Sequence, residues 1–301
     1  MIFQRTIRNA AGAMALLAMV VVSGCAGDTG GSVDAAPTGT GSAATGGTST
    51  LPHYDHVVVV MEENHSAGEV LGASDAPYIN ALAQGGAVFA NAHGVAHPSE
   101  PNYLALFAGS TFGLTSDNCP QSFKGDNLSS ALQVNGKTFI GYSESMPSAG
   151  FTGCSASGGD YARKHNPWVN FTNVPAASNQ PLGIFPSDYA QLPTVAFVVP
   201  NQQNDMHSGS IQTADSWLQT QIDGYTQWAA THNSLLIVTW DEDDGSAANQ
   251  ILTIFSGAHV VPGQVTASIT HYDVLRTIEN IYGLPYSANA GSAQTISGIW
   301  Q

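Results

Sequence analysis

Apolar and polar residues along this chain fall into two kinds of pattern. Five short runs rich in β-branched and aromatic residues, HVVVVM (56–61), TFIGYSE (138–144), TVAFVVP (194–200), LLIVTW (235–240) and ILTIF (251–255), are bounded by polar or turn residues and predict buried strands. Ala214, Leu218, Ile222, Tyr225 and Ala229 recur at steps of three and four, as do Val274, Ile278 and Ile281, and both sets predict helices with one apolar face. A further helix is expected after HPSEPNY (97–103), where Pro101 suits a first turn and Ser99 is a preferred cap, its hydroxyl beside free backbone N–H groups and the positive end of the helix dipole. Strand-length runs alternating with helical segments predict an α/β domain with a largely parallel sheet. Residues 145–191, rich in Gly, Pro, Asn and Ser, give no regular element and read as an insertion near the site.

The N-terminus differs from the rest. Arg5 and Arg8 precede an apolar run (10–22) and then SGCAG, the charged, apolar and small-residue order of an export signal. VSGC resembles a lipobox, which would make Cys25 the first mature residue, lipidated and anchored in the cell envelope; a plain secretory signal, with release of the protein, is the alternative. Residues 26–50 are almost all Gly, Ala, Ser and Thr, a composition that behaves as a flexible tether. The expected division is therefore a signal peptide (1–24), a lipid-anchored linker (25–50) and one folded domain (51–301). Past the signal, no run is long and apolar enough to span a bilayer. In an exported chain the remaining cysteines, Cys119 and Cys154, are expected to pair as a disulfide.

Composition narrows the partners. With 7 Lys+Arg against 22 Asp+Glu the net charge is -15, which disfavours nucleic acid, since neutralising phosphates takes many cations. The acidic residues are not scattered. VVVVM runs into Glu62, Glu63 and Asn64; VAFVVP into Asn204, Asp205 and His207; LLIVTW into Asp241, Glu242, Asp243 and Asp244. In a parallel sheet the carboxyl ends of strands share one edge, where ligands bind, so these groups should converge and would need a cation to hold them. Oxygen donors suit Mg²⁺, Ca²⁺ or Mn²⁺, and His207 and His271 extend the set towards Zn²⁺. Ser99 at a helix start beside such a cation would be activated as a nucleophile, with His97 flanking it as a substrate contact. Arg163, Lys164 and His165 form the one basic cluster past the signal, readable as a phosphate clamp or as a salt-bridged surface patch. DEDDG (241–245) alone also reads as a fragment of a calcium loop, but it lacks the full EF-hand spacing and follows a strand instead of a helix.

Six motifs in order, MEENHS, HPSEPNYLALFAG, YARKHNPWVNF, NDMHSGS, TWDEDDG and ITHYDVLRTIENIYGL, resemble the phosphoesterase family of bacterial (including mycobacterial) and fungal acid phosphatases, which also contains the non-haemolytic phospholipases C. The resemblance covers nearly all of residues 51–300. It implies an alkaline-phosphatase-like α/β/α sandwich with Ser99 as the nucleophile. Glu63, Asn64, Asp241 and Glu242 would hold the metal with Ser99, and Asp205, His207 and His271 would complete the pocket. Sulfatases share this fold class but place Arg four residues after the nucleophile; Tyr103 stands there, which disfavours sulfatase activity.

The expected function is thus a metal-assisted phosphomonoesterase, an acid phosphatase outside the cytoplasm, that forms a phosphoserine on small phosphorylated molecules or lipid phosphates. His207 or His271 would protonate the leaving group. The rivals are a phospholipase C type of phosphodiesterase and a non-enzymatic, calcium-binding surface lipoprotein.

Overall fold

The four valines at 57–60 are fully enclosed because the strand that carries them lies in mid-sheet, covered on both faces. The computed structural model describes residues 51–301, so the expected signal, Cys25 and the tether lie outside the described residues. Nine strands form the main sheet: β1 (His56–Glu62), β2 (Ala87–His93), β3 (Phe139–Ser143), β4 (Asn179–Pro181), β5 (Val195–Val199), β6 (Ser234–Trp240), β7 (Gln250–Gly257), β8 (Gly263–Val265) and β9 (Ile269–Thr270). Their spatial order is β8-β2-β7-β6-β1-β5-β3-β4, with β9 paired to β2. The pairings of β1 with β5 and β6, and of β3 with β4 and β5, are parallel; β7 alone runs against its neighbours β6 and β2.

All five expected strands form. The pattern gave no sign of β2, AVFANAH, whose alanines and asparagine interrupt a β-branched run and whose pairing with β7 shifts register between Phe89 and Ala92. Long-range pairing, not local propensity, makes it a strand.

Six α-helices flank the sheet: α1 (Ala67–Val70), α2 (Pro77–Gly85), α3 (Ser99–Ala108), α4 (Leu128–Val134), α5 (Ile211–Ala229) and α6 (His271–Ile281). Helix α5 starts at Ser210, whose side chain accepts from the Thr213 N–H, and it buries the expected stripe Ala214, Leu218, Ile222, Tyr225 and Ala229. Helix α6 starts at a capping box, with the Thr270 N–H donating to Asp273 at 2.7 Å. α2 packs with α5 and α3 with α6, giving the α/β/α arrangement. Every residue of α3 is buried, so its sequence shows no amphipathic stripe; it ends at Gly109, in the left-handed region at φ 67, where a side chain would collide with the Ser287 carbonyl.

Residues 145–191 form a strap of 3-10 turns and short strands, tied to the preceding loop by a Cys119–Cys154 disulfide. Among the described residues no helix is long and apolar enough to cross a membrane.

Candidate active site

The edge formed by the carboxyl ends of β1, β2, β5 and β6 gathers the chemistry. Leaving β2, the chain turns through residues 94–98 into α3, and Asn102 holds that turn: its Oδ1 accepts from the Val95 and Ala96 N–H groups at 2.8 and 3.0 Å, and its Nδ2 donates to the Ala96 carbonyl at 2.8 Å. Ser99 is the first residue of α3, and Pro98 occupies the capping position. The expectation of Ser99 as a cap is corrected by one residue, and its hydroxyl does something else. It donates to Glu242 Oε1 at 3.0 Å and lies 3.4 Å from Glu63 Oε2, in a position only 2% exposed.

Register brings the carboxylates together. Glu62 pairs with Trp240 across β1 and β6, so Glu63 and Asp241 emerge side by side; the Asp241 N–H donates to the Glu62 carbonyl at 3.0 Å and the Glu63 N–H to the Asp205 carbonyl at 2.8 Å. The Asn64 N–H donates to Asp241 Oδ1 at 3.2 Å. Glu63, Asp205 and Asp241 are fully buried and Glu242 nearly so. Burial, and then Asp241 and Asp205, holds the Glu63 carboxyl well above the usual range; burial, and then Glu242, does the same to Asp241. Burial pushes Asp205 up to about 8. Packed carboxylates that repel one another are what a bound cation relieves. Asn64 Oδ1, Asp241 Oδ2 and Asp205 Oδ2 find no hydrogen-bond partner among the described residues, so oxygen ligands stand ready. This donor set fits a divalent metal ion.

Histidines complete the pocket. His165, expected with Arg163 and Lys164 as a phosphate clamp, sits instead between two carboxylates: its Nε2 is 3.1 Å from Glu63 Oε1 and its Nδ1 is 3.6 Å from Asp205 Oδ2. Glu63, His165 and Asp205 each offer a ligand atom within 4.8 Å of the others and can hold a metal ion. Burial, then Lys164 and His207, pushes His165 well below its ordinary pKa, so it is neutral. His271 lies 2.7 Å, through Nε2, from the Asp241 carbonyl, and burial pushes it down to about 4. Since a carbonyl only accepts, Nε2 is the donor in that bond. His207 is half-buried next to His165, with ring centroids 5.9 Å apart, and its backbone N–H donates to Asp205 Oδ1 at 2.8 Å. His97 stands at the mouth, 2.5 Å from Glu242 Oε2 and 3.3 Å from Asp243 Oδ1.

Arg163 does not face this pocket. Its guanidinium donates to Asn170 Oδ1 at 3.1 Å and to the carbonyls of Thr152 and Gln121 at 2.7 and 2.9 Å, so it braces the strap. Lys164 pairs with Asp117 at 2.8 Å; burial lowers its pKa, but Glu63 and Asp117 outweigh that and raise it. The Asp243 carboxylate is taken up by its own loop: it accepts from the N–H groups of Gly245, Ala247 and Asn249, each at 2.8 Å. The mouth is an open depression of about 330 Å³ lined by Asn64, His97, Glu242, Asp243, Asp244 and Gly245. Asn102, Tyr103, Asp117 and Asn170 were not read from the sequence as site residues; the one signal was that Tyr103, at i+4 from Ser99, stands where a sulfatase places its arginine.

Residues 69–285 match the family model described as Phosphoesterase family. Over 255 residues the chain is 54% identical to the phosphatidylinositol-3-phosphatase of Mycobacterium tuberculosis, covering 84% of this chain and 85% of that one. It is 32% identical over 224 residues to an acid phosphatase of Aspergillus fumigatus, covering 68% of this chain and 50% of that one, so it spans about half the length of this fungal relative. Among solved structures, a protein of the alkaline phosphatase superfamily from Vibrio parahaemolyticus is similar in fold, with a TM-score of 0.56, 12% identity, and coverage of 81% of this chain and 71% of that one. A lipoteichoic acid synthase from Listeria monocytogenes aligns with a TM-score of 0.54, 10% identity, and coverage of 79% and 74%.

Proposed function

Because this chain belongs to the phosphoesterase family and is a phosphoric monoester hydrolase like its relatives, we propose that it acts outside the cytoplasm, through a phosphoserine on Ser99 and with a divalent cation. The observation that carries this reading is the Ser99 hydroxyl, buried at the start of α3 and directed at Glu242 and Glu63. Glu63, Asn64, Ser99, Asp241 and Glu242 would hold the cation, which when bound neutralises charge on the phosphoryl group and acidifies the serine. The non-enzymatic calcium-binding reading is set aside, since the relatives are phosphatases and Asp243 is engaged by its own loop.

Ser99 Oγ attacks phosphorus as its proton passes towards Glu242 Oε1, to which it already donates; the bond from phosphorus to the ester oxygen breaks and the alcohol departs. Of the two histidines expected as proton donors, His207 is the better placed, because His271 commits its Nε2 to Asp241. Water then attacks the phosphoserine, releasing phosphate and restoring the hydroxyl. Lys164, held by Asp117 beside the site, offers positive charge to the phosphate oxygens.

For substrate we propose a phosphate monoester on a lipid headgroup, prompted by the 54% identical phosphatidylinositol-3-phosphatase and compatible with the open mouth. Export, with lipid at Cys25 or release after cleavage, is supported by the signal-like N-terminus and the disulfide. The test is an assay on p-nitrophenyl phosphate, its phosphorylcholine diester and short-chain phosphatidylinositol 3-phosphate, with and without chelator. Faster diester than monoester cleavage would favour the phospholipase C reading, and full activity in metal-stripped protein would remove the cation. Mass spectrometry of the native N-terminus decides the fate of Cys25.

A further inference from the structure

The buried tyrosines of this fold differ in what their hydroxyls do. Tyr54 donates to the Ala258 carbonyl at 2.7 Å, Tyr225 to Leu235 at 3.0 Å and Tyr282 to Thr194 at 3.1 Å, each tying one backbone segment to another. Tyr103 donates instead to a side-chain carboxylate of the site, Glu63 Oε1. It sits one turn after Ser99 on α3, fully enclosed, and the face of its ring stacks on His165 with centroids 5.0 Å apart and planes 10° from parallel. His165 Nε2 in turn lies 3.1 Å from the same Glu63 oxygen.

We propose that Tyr103 is a positioning residue, which sets the rotation of the Glu63 carboxylate with its hydroxyl and the plane of the His165 imidazole with its ring. The role rests on the reading of Glu63 as a group of the active site. A carboxylate turns about its last torsion with little preference, so burial alone leaves its two oxygens interchangeable. Here Ser99 and Tyr103, at i and i+4 on one face of α3, address different oxygens of that carboxylate: Tyr103 takes Oε1, and Oε2 is left 3.4 Å from the Ser99 hydroxyl. Repulsion from Asp241 and Asp205 would otherwise swing the group away. Stacking fixes the ring of His165 so that its second nitrogen faces Asp205 at 3.6 Å.

Tyr103→Phe separates the hydroxyl from the ring. It should fold and melt close to the wild type and keep KM, while kcat falls about 10- to 100-fold and the affinity of metal-stripped protein for Mn²⁺ or Zn²⁺, added singly in a calorimeter, falls about tenfold, the usual cost of removing a group that orients a ligand. Tyr103→Leu, which also loses the stack, should fall further in kcat. A Tyr103 that merely fills the core would give the opposite pattern, with kcat and cation affinity of Tyr103→Phe unchanged, and that result overturns the proposal. A wild type that takes up neither cation would overturn the metal reading instead. The positioning role then stands on kcat alone, and an unchanged kcat in Tyr103→Phe sinks it.

Discussion

Asn170 Nδ2 donates to Glu100 Oε1 at 2.8 Å, and so joins the strap to the helix that carries Ser99. Asn170 is itself held by Arg163, whose Nε donates to its Oδ1 at 3.1 Å. The strap is therefore bonded to α3, and it brings His165 to Glu63 and Asp205 and Lys164 to Asp117.

Arg163 and Lys164 should consequently fail in different ways. Arg163→Ala leaves several buried acceptors without donors and should cost about 3 kcal/mol or more of stability. Lys164→Ala removes a partly exposed pair, should cost no more than about 1 kcal/mol, and should raise KM for phosphate esters several-fold. Denaturant midpoints and Michaelis curves on both variants check this; the reverse pattern would make Arg163 the phosphate contact.

Ser99→Ala should leave the fold nearly as stable as the wild type, because Ser99 is not the cap of α3. Turnover should drop by about four orders of magnitude, as in other enzymes stripped of a nucleophile. Rapid acid quench with radiolabelled substrate should trap phosphate on wild-type Ser99 only. Label on a histidine would reassign the nucleophile.

Asp241→Asn replaces a carboxylate that burial and Glu242 hold well above its ordinary pKa. In chelator the variant should melt at or above the wild-type temperature, since a repelling charge is gone. Added divalent cation at 100 times its Kd should stabilise the wild type by about 2.7 kcal/mol and the variant far less. Melting curves with and without Mn²⁺ measure both.

Glu279 provides a pH-dependent stability distant from the site's chemistry. It lies fully enclosed in α6, one oxygen accepting from the Ser287 N–H at 2.8 Å, and burial pushes its pKa up to about 7. A carboxyl raised above its unfolded value favours the fold while protonated, fully below about pH 4.5, and that contribution is lost as pH rises through 7. Glu279→Gln should therefore be more stable than the wild type at pH 8 by roughly 2 kcal/mol, with the gap closing at pH 4.5. Thermal melts across that range read it directly, and a gap that does not change with pH would exclude Glu279 as its source.

Read by itself, the chain determined its five central strands, the two amphipathic helices, the Cys119–Cys154 pair and the convergence of Glu63, Asp205 and Asp241, because each leaves a local trace: a β-branched run, a three-and-four stripe, an even cysteine count, or an acidic cluster at a strand end. The six motifs added the family, borne out by the comparisons. Only the tertiary structure decided what individual side chains do. β2 lacks a local signal and exists through its pairing with β7; α3 is buried all round and shows no period. Ser99 moved from cap to hydroxyl donor by one residue of helix register, a shift smaller than any pattern resolves. Arg163 and His165, two residues apart in one basic cluster, were sent to opposite duties because a 3-10 turn points one at backbone carbonyls and the other at Glu63 and Asp205. Tyr103 was marked in sequence only by standing where a sulfatase places its arginine; its contacts are with Glu63 and His165, 40 and 62 positions away, and contact at that range is a property of the packed sheet and strap, to which composition and spacing are blind.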